Sequence, residues 1–195
     1  MHAFGRKVAG YLVRNLFRMP IDDRTVLVTS QLTSSPAVAR LHQWPTTVAK
    51  SVTGTLRFIV DRAAEEVGVS AGAGVTLLTT SGRRITSVAT DATADRLNAL
   101  FDRSHENPGT TAWFMQTAVQ ATGSPEAERW PEWIGQAAEV GANSVLFAPL
   151  RTPQRLLGTL MVYSREIDAY RRSDADMLDR YACDAAILID ETQSA

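Results

Sequence analysis

A single cysteine, Cys183, stands in a chain of 195 residues. It can form neither an intrachain disulfide nor a thiolate metal cluster, so the cytoplasm is the expected location. Charge of one sign is lacking too. The formal net charge is −1, which gives no field to hold a polyanion, and nucleic acid is not expected as a partner because binding it takes clustered Lys and Arg. The pairs Arg83-Arg84 and Arg171-Arg172 read as solubilising turn residues. No apolar run approaches the ~20 residues that span a bilayer. The stretch from Val8 to Phe17 is interrupted by Arg14 and is followed by no small-residue cleavage site, so it reads as neither a membrane span nor a signal peptide.

Catalytic motifs are scarce as well. No Gly-x-Ser-x-Gly nucleophile elbow is expected, there is no phosphate-cradling Gly-x-x-x-x-Gly-Lys loop and no His-Glu-x-x-His metal motif, and the chain is not expected to be an enzyme. Asp174, Asp176, Asp179 and Asp184 are spaced so as to spread around a helix, which suits a solvated face better than a metal site. No catalytic residue, metal ligand or cofactor is assigned from the sequence.

What is present is 45% hydrophobic and 21% charged residues, enough for one globular domain with some extra length. Residues 3–18 place Phe4, Val8, Tyr11, Leu12 and Leu16 near one helical face, with Arg6, Lys7, Arg14 and Arg18 mostly elsewhere. Such a basic amphipathic helix docks on its own domain or on a dimer partner; contact with an anionic membrane surface is the lesser reading. Pro20, Pro36 and Pro45 then break all periodicity, so residues 1–45 are expected to be this helix and an irregular connector, with "TVLVT" at 25–29 as a short added strand.

The globular domain is expected over 46–192. Val48, Val52, Leu56, Ile59, Ala63 and Val67 predict a helix over 46–67 with Gly54 as a soft spot and Gly68 as its C-terminal cap. Strands are predicted at 75–79 and 84–90, joined by a tight "TSGR" turn. Leu97, Leu100 and Phe101 return to helical spacing, a short helix is predicted from about Thr110, and another runs from Pro131 to a stop at Gly141. The apolar runs "SVLFAPL" (144–150) and "LLGTLMVYS" (156–164) flank "RTPQR" as the central hairpin of a sheet. The last helix is expected to start with Ser173 as N-cap and to carry Leu178, Tyr181, Ala185 and Leu188 at heptad spacing. Helices segregated around an antiparallel sheet make the fold class α+β.

Three segments, "GAGVTLLTTSGRRITSVATD", "RWPEW" followed by "GANSVLFAPLRTPQRLLGTLMVYSRE", and "RRSDADMLDRYACDAAILID", resemble a GAF domain of the actinobacterial type from about Val48 to Asp190. The most specific part is a strand ending in Pro-Leu, a short turn, and a strand with Gly before an apolar run. The resemblance implies a GAF-like sensor fold: terminal helices on one face of the sheet and a small-molecule pocket on the other.

Several activities known in the family find no counterpart here. The spaced Asn, Lys, Phe, Asp, Glu signature of cyclic-nucleotide binding is missing. Thiol-based sulfoxide reduction needs a second cysteine. Bilin attachment needs a cysteine near the pocket, whereas Cys183 is expected on the other side of the sheet. A haem would need an axial imidazole, and of His2, His42 and His105 only His105 falls in the pocket half, in a loop. The "GPC"-like turn of some relatives corresponds to "NPGTTAW", without the thiol. With the chain ending at Ala195, an ANTAR RNA-binding output domain is not expected.

The resulting expectation is a non-catalytic regulatory module. It binds an unidentified small molecule between sheet and lid helices and signals as a homodimer through the helices 46–67 and 174–190, to a partner protein. The alternative is a ligand-free dimerisation or interaction scaffold placed by its N-terminal helix. Candidate pocket walls are Phe101, Trp113, Met115, Trp130, Trp133 and Phe147, because ligand sites are lined by apolar and aromatic groups with few polar anchors. Each has core packing as its alternative.

Overall fold

The computed structural model describes residues 51–101, 103, 106–121 and 128–194. The expected N-terminal helix, its connector, the strand at 25–29 and all three histidines lie outside these residues. Ten elements follow in order: α1 (Val52–Glu66), β1 (Gly72–Leu78), β2 (Arg84–Ala89), α2 (Ala92–Leu100), α3 (Pro108–Met115), β3 (Val119–Gln120), α4 (Pro131–Glu139), β4 (Ser144–Arg151), β5 (Leu156–Ser164) and α5 (Arg172–Ser194). None of these helices is long and apolar enough to cross a membrane.

The strands form one antiparallel sheet in the order β2-β1-β5-β4-β3. The most apolar hairpin, β4–β5, thus occupies its centre, as its composition predicts. Side chains alternate between the two faces of the pleat. Ala73, Val75, Leu77, Leu146, Ala148, Leu150, Leu160 and Val162 join the core beneath α1 and α5, while Val145, Phe147, Met161 and Tyr163 belong to a second core beneath the lid helices.

Gly158 explains the glycine of the β5 pattern. A Cβ there would stand 2.0 Å from the Thr76 carbonyl oxygen and 2.9 Å from the Leu77 Cα of the neighbouring strand, so no other residue fits without displacing backbone. The two-residue edge strand β3, which pairs with Leu146 and Phe147, has no signal of its own in so short a run.

Helix boundaries depart from expectation where capping decides them. α1 starts at Val52 rather than at 46, because Ser51 is extended and its hydroxyl accepts the Gly54 N–H at 3.1 Å. Gly54 therefore sits in a capped first turn, not at a weak point in mid-helix. Gly68 is not the cap; the helix closes at Val67, whose N–H reaches the Ala63 carbonyl, and no left-handed glycine is needed there. Gly141 is left-handed at φ 86° and ends α4 as expected.

Ser173 is not an N-cap either. α5 starts one residue earlier, and Asp174 accepts the Arg171 N–H at 2.7 Å, so an acid three positions on closes the turn instead. Along α5, Leu178, Tyr181 and Ala185 are buried and Leu188 is half-buried, with Ala182, Ala186 and Ile189 sharing the burial. The heptad stripe is thus packed on the domain's own sheet and on α1. The Tyr181 hydroxyl donates to the Ile59 carbonyl of α1 at 3.0 Å, and a two-pronged pair from Arg151 to Asp179, at 2.7 and 2.6 Å, joins β4 to α5.

Candidate functional site

α2, α3 and α4 cover the other face of the sheet, and local capping sets each in place. Asp91 caps α2, accepting the Thr93 and Ala94 N–H groups at 2.8 and 3.0 Å, and the Tyr163 hydroxyl of β5 donates to the same carboxylate at 3.1 Å. Burial pushes the Asp91 carboxyl up, but the hydrogen bonds from Ala94, Thr90, Tyr163 and Thr93 together outweigh it and hold it below its ordinary value. α2 lies close on β1 because Gly74 has no side chain: a Cβ there would sit 2.6 Å from Asn98 Oδ1 and 2.9 Å from Met161 Cε.

α3 begins at Pro108, two residues before the expected Thr110. Asn107 and Thr110 form a reciprocal capping box, with Thr110 N–H to Asn107 Oδ1 at 2.9 Å and Asn107 N–H to Thr110 Oγ1 at 3.1 Å. Pro108 takes the first helical position, where its missing N–H costs nothing. Asn107 is buried and donates through Nδ2 to the Phe101 carbonyl at 3.1 Å, tying α3 to the end of α2. Gly109 then lets α3 settle between rings: a Cβ would come within 2.9 Å of Phe101 and 3.1 Å of Phe147.

The six candidate walls do not form one surface. Trp130 and Trp133 are buried and line an open cavity of about 360 Å³. Phe147 backs it from the sheet, its ring edge-on to Trp133 at 5.7 Å. Phe101 and Trp113 form a separate cluster with Leu78, under the β1–β2 turn, where a Cβ on Gly82 would stand 3.3 Å from the Trp113 ring. The Trp113 indole N–H is buried and meets no acceptor among the described residues. Met115 points outward, 67% exposed, beside an equally exposed Phe114.

The cavity opens at the edge of the lid, between the end of α2 and the start of α4. Besides the two tryptophans it is lined by Leu100, Arg103, Glu106, Arg129, Pro131, Glu132 and Gln136. None of these comes from the sheet. The Arg129 guanidinium lies over the Trp130 ring, 5.6 Å from its centroid. The charged lining was not anticipated, since an aromatic search passes over it; its signal in the sequence is the helical spacing of Arg129, Glu132, Trp133 and Gln136.

Reactive groups lie elsewhere. Cys183 is on α5, across the sheet from the lid, and burial pushes its thiol up from the ordinary value, with nearby Arg151 only partly opposing this. Against the expectation of no Gly-x-Ser-x-Gly elbow, Gly68, Ser70 and Gly72 do form a Gly-x-Ser-x-Gly run. It joins a helix to a strand, the reverse of a nucleophile elbow, and Ser70 Oγ shares a hydrogen bond with the Tyr170 hydroxyl at 3.1 Å. Among the described residues no group of three or more His, Cys, Asp or Glu side chains is placed to hold a metal ion.

A family model described as GAF domain matches residues 49–190. No curated protein matches the sequence. Among solved structures, the GAF domain from an Acinetobacter phosphoenolpyruvate-protein phosphotransferase is similar at 14% identity and a TM-score of 0.54, over 81% of this chain and 93% of its own. The photoproduct state of GAF3 from Slr1393 of Synechocystis is similar at 11% identity and a TM-score of 0.53, over 74% of this chain and 96% of its own. At such identities the likeness speaks for the fold alone.

Proposed function

The chain belongs to the GAF domain family, and from that premise we propose that it is a non-catalytic sensory module that takes a small molecule at the lid edge and signals as a dimer. The observation that carries the reading is the cavity of about 360 Å³ floored by Trp130 and Trp133. Its volume lies near the lower end of the roughly 300–1,000 Å³ usual for small-ligand sites. Occupation there would bear on α4 and the end of α2, and through Trp133 and Phe147 on β4. β4 packs on α5, which gives a ligand a route to the terminal helices.

The non-catalytic reading is supported by the position of Cys183 and by its raised thiol pKa, because the thiolate is the reactive form. Dimerisation through α1 and α5 is supported by the half-buried Val52, Phe58 and Leu188, which flank the buried stripe and which a two-fold partner would cover. A cytoplasmic setting follows from the cysteine usage. Native mass spectrometry of the purified chain tests the reading. We expect a dimer with a reproducible bound mass that Trp133→Phe reduces; a clean ligand-free protein that takes up nothing from a metabolite extract would sink it.

A second reading, a ligand-free scaffold, is favoured by one observation. Under α3 the sheet and lid pack closely, so that a Cβ on Gly109 would come within 2.9 Å of Phe101 and 3.1 Å of Phe147. On that reading the lid edge is an unused dent, and the dimer persists with no bound mass.

A further inference from the structure

We propose that the lid-edge cavity selects a small zwitterion of the amino-acid type with an apolar side chain. This rests on the sensory reading above and adds the ligand's chemistry to it. Two guanidinium groups, Arg103 and Arg129, and two carboxylates, Glu106 and Glu132, share one cavity with two buried indoles. Opposite charges so close commonly neutralise each other. Here no ion pair among the described residues engages Arg103, Arg129 or Glu132.

The positive side is extended by the start of α4. Trp130 holds the N-cap position without any side-chain cap bond, and Pro131 follows it with no N–H. The first helical bond runs from the Ile134 N–H to the Trp130 carbonyl, so the N–H groups of Glu132 and Trp133 have no partner within the helix. Those two amides and Arg129 suit a carboxylate. The Glu132 carboxylate, three residues along from Arg129, suits an ammonium group.

Arg129 and Glu132 carry opposite charges in this lining, and no ion pair among the described residues engages either, so a ligand carrying a single charge satisfies one and leaves the other facing it. A dipolar ligand satisfies both. The indoles of Trp130 and Trp133 then receive its apolar part, and a volume of about 360 Å³ suits a molecule no larger than one or two amino acids.

The test is a titration of the purified full chain with L-phenylalanine and L-leucine, followed by intrinsic tryptophan fluorescence and by the thermal midpoint. Phenethylamine and 3-phenylpropionate serve as analogues that keep one charge each. We expect an amino acid to bind and both analogues to bind more weakly by about tenfold or more, the effect of losing one charge-assisted hydrogen bond. Arg129→Gln should abolish the preference over the amine, and Glu132→Gln the preference over the acid. Both residues are exposed or at the first turn of a helix, so the variants keep the fold.

Equal binding of an analogue and its amino acid, or preferences that survive both substitutions, would overturn the proposal. If native mass spectrometry shows a retained ligand while neither amino acid binds, the zwitterion falls and the sensory reading stands. If nothing is retained and none of the four compounds binds, both fall.

Discussion

The two faces of the sheet are built differently. Beneath α1 and α5 the strands present Ala, Val and Leu, and the helices answer with Leu56, Ile59, Val60, Leu178 and Ile189, a continuous aliphatic layer. Beneath the lid the same strands present Gly72, Gly74 and Thr76 beside Phe147, Met161 and Tyr163, and the helices answer with Trp130 and Trp133. Small residues and large rings on one face leave a surface that is filled at the centre and open at its edge. Aliphatic residues of similar size close up more evenly. One face is therefore a continuous support, and the other is where the cavity arises.

The largest effect should come from the strand both faces share. Gly158→Ala drives a Cβ into the Thr76 carbonyl, and we expect a loss above about 4 kcal/mol or no folded protein, read by chemical denaturation. A variant that folds normally would show that β1 and β5 can move apart, and the tight centre would lose its meaning. Next, Leu160→Ala on the support face should cost about 2–5 kcal/mol and leave the response of lid-edge tryptophan fluorescence to ligand intact. A lost response in the remaining folded protein would couple the two faces more closely than their separate cores imply.

On the lid face, Asp91→Ala should cost about 0.5–2 kcal/mol at neutral pH, the usual worth of an N-cap. The pH dependence has a definite sign. The native carboxyl lies below its ordinary value of 3.8, so its contribution is complete above that pH and is lost as pH falls through the lowered native value. Stability curves of wild type and variant should converge in that acid window; a gap that persists through it would mean that packing, not the ionised cap, supports α2. The smallest effect is expected from Met115→Ala, within about 0.5 kcal/mol and with ligand uptake unchanged, because the side chain is exposed. Reduced uptake would move the site from the lid edge toward α3.

Regular elements were legible in the sequence because their signals are local. The β4 and β5 runs, the "TSGR" turn and the Gly141 stop depend on patterns within a few residues, and each lies where those patterns place it. Errors fell at helix starts. Asn107 and Asp174 act as caps through partners three residues away, a competition among Ser, Thr, Asn and Asp that composition does not resolve. The site was half legible. The aromatic residues were named, but whether a ring packs in a core, lines a cavity or faces solvent depends on which elements meet, and Trp113, Trp133 and Met115 took one of these fates each.

The sequence by itself determined the α+β order, the central hairpin, the single thiol and near-zero net charge, and the family. All of these follow from residue type and spacing along the chain. Only the tertiary structure decided that the α5 stripe is buried against its own sheet, that α3 packs closely on Phe101 and Phe147 at Gly109, and that Arg103, Arg129, Glu106 and Glu132 gather around two indoles. Those facts depend on contacts between residues far apart in the chain, where close packing and helix placement, rather than local preference, select the arrangement.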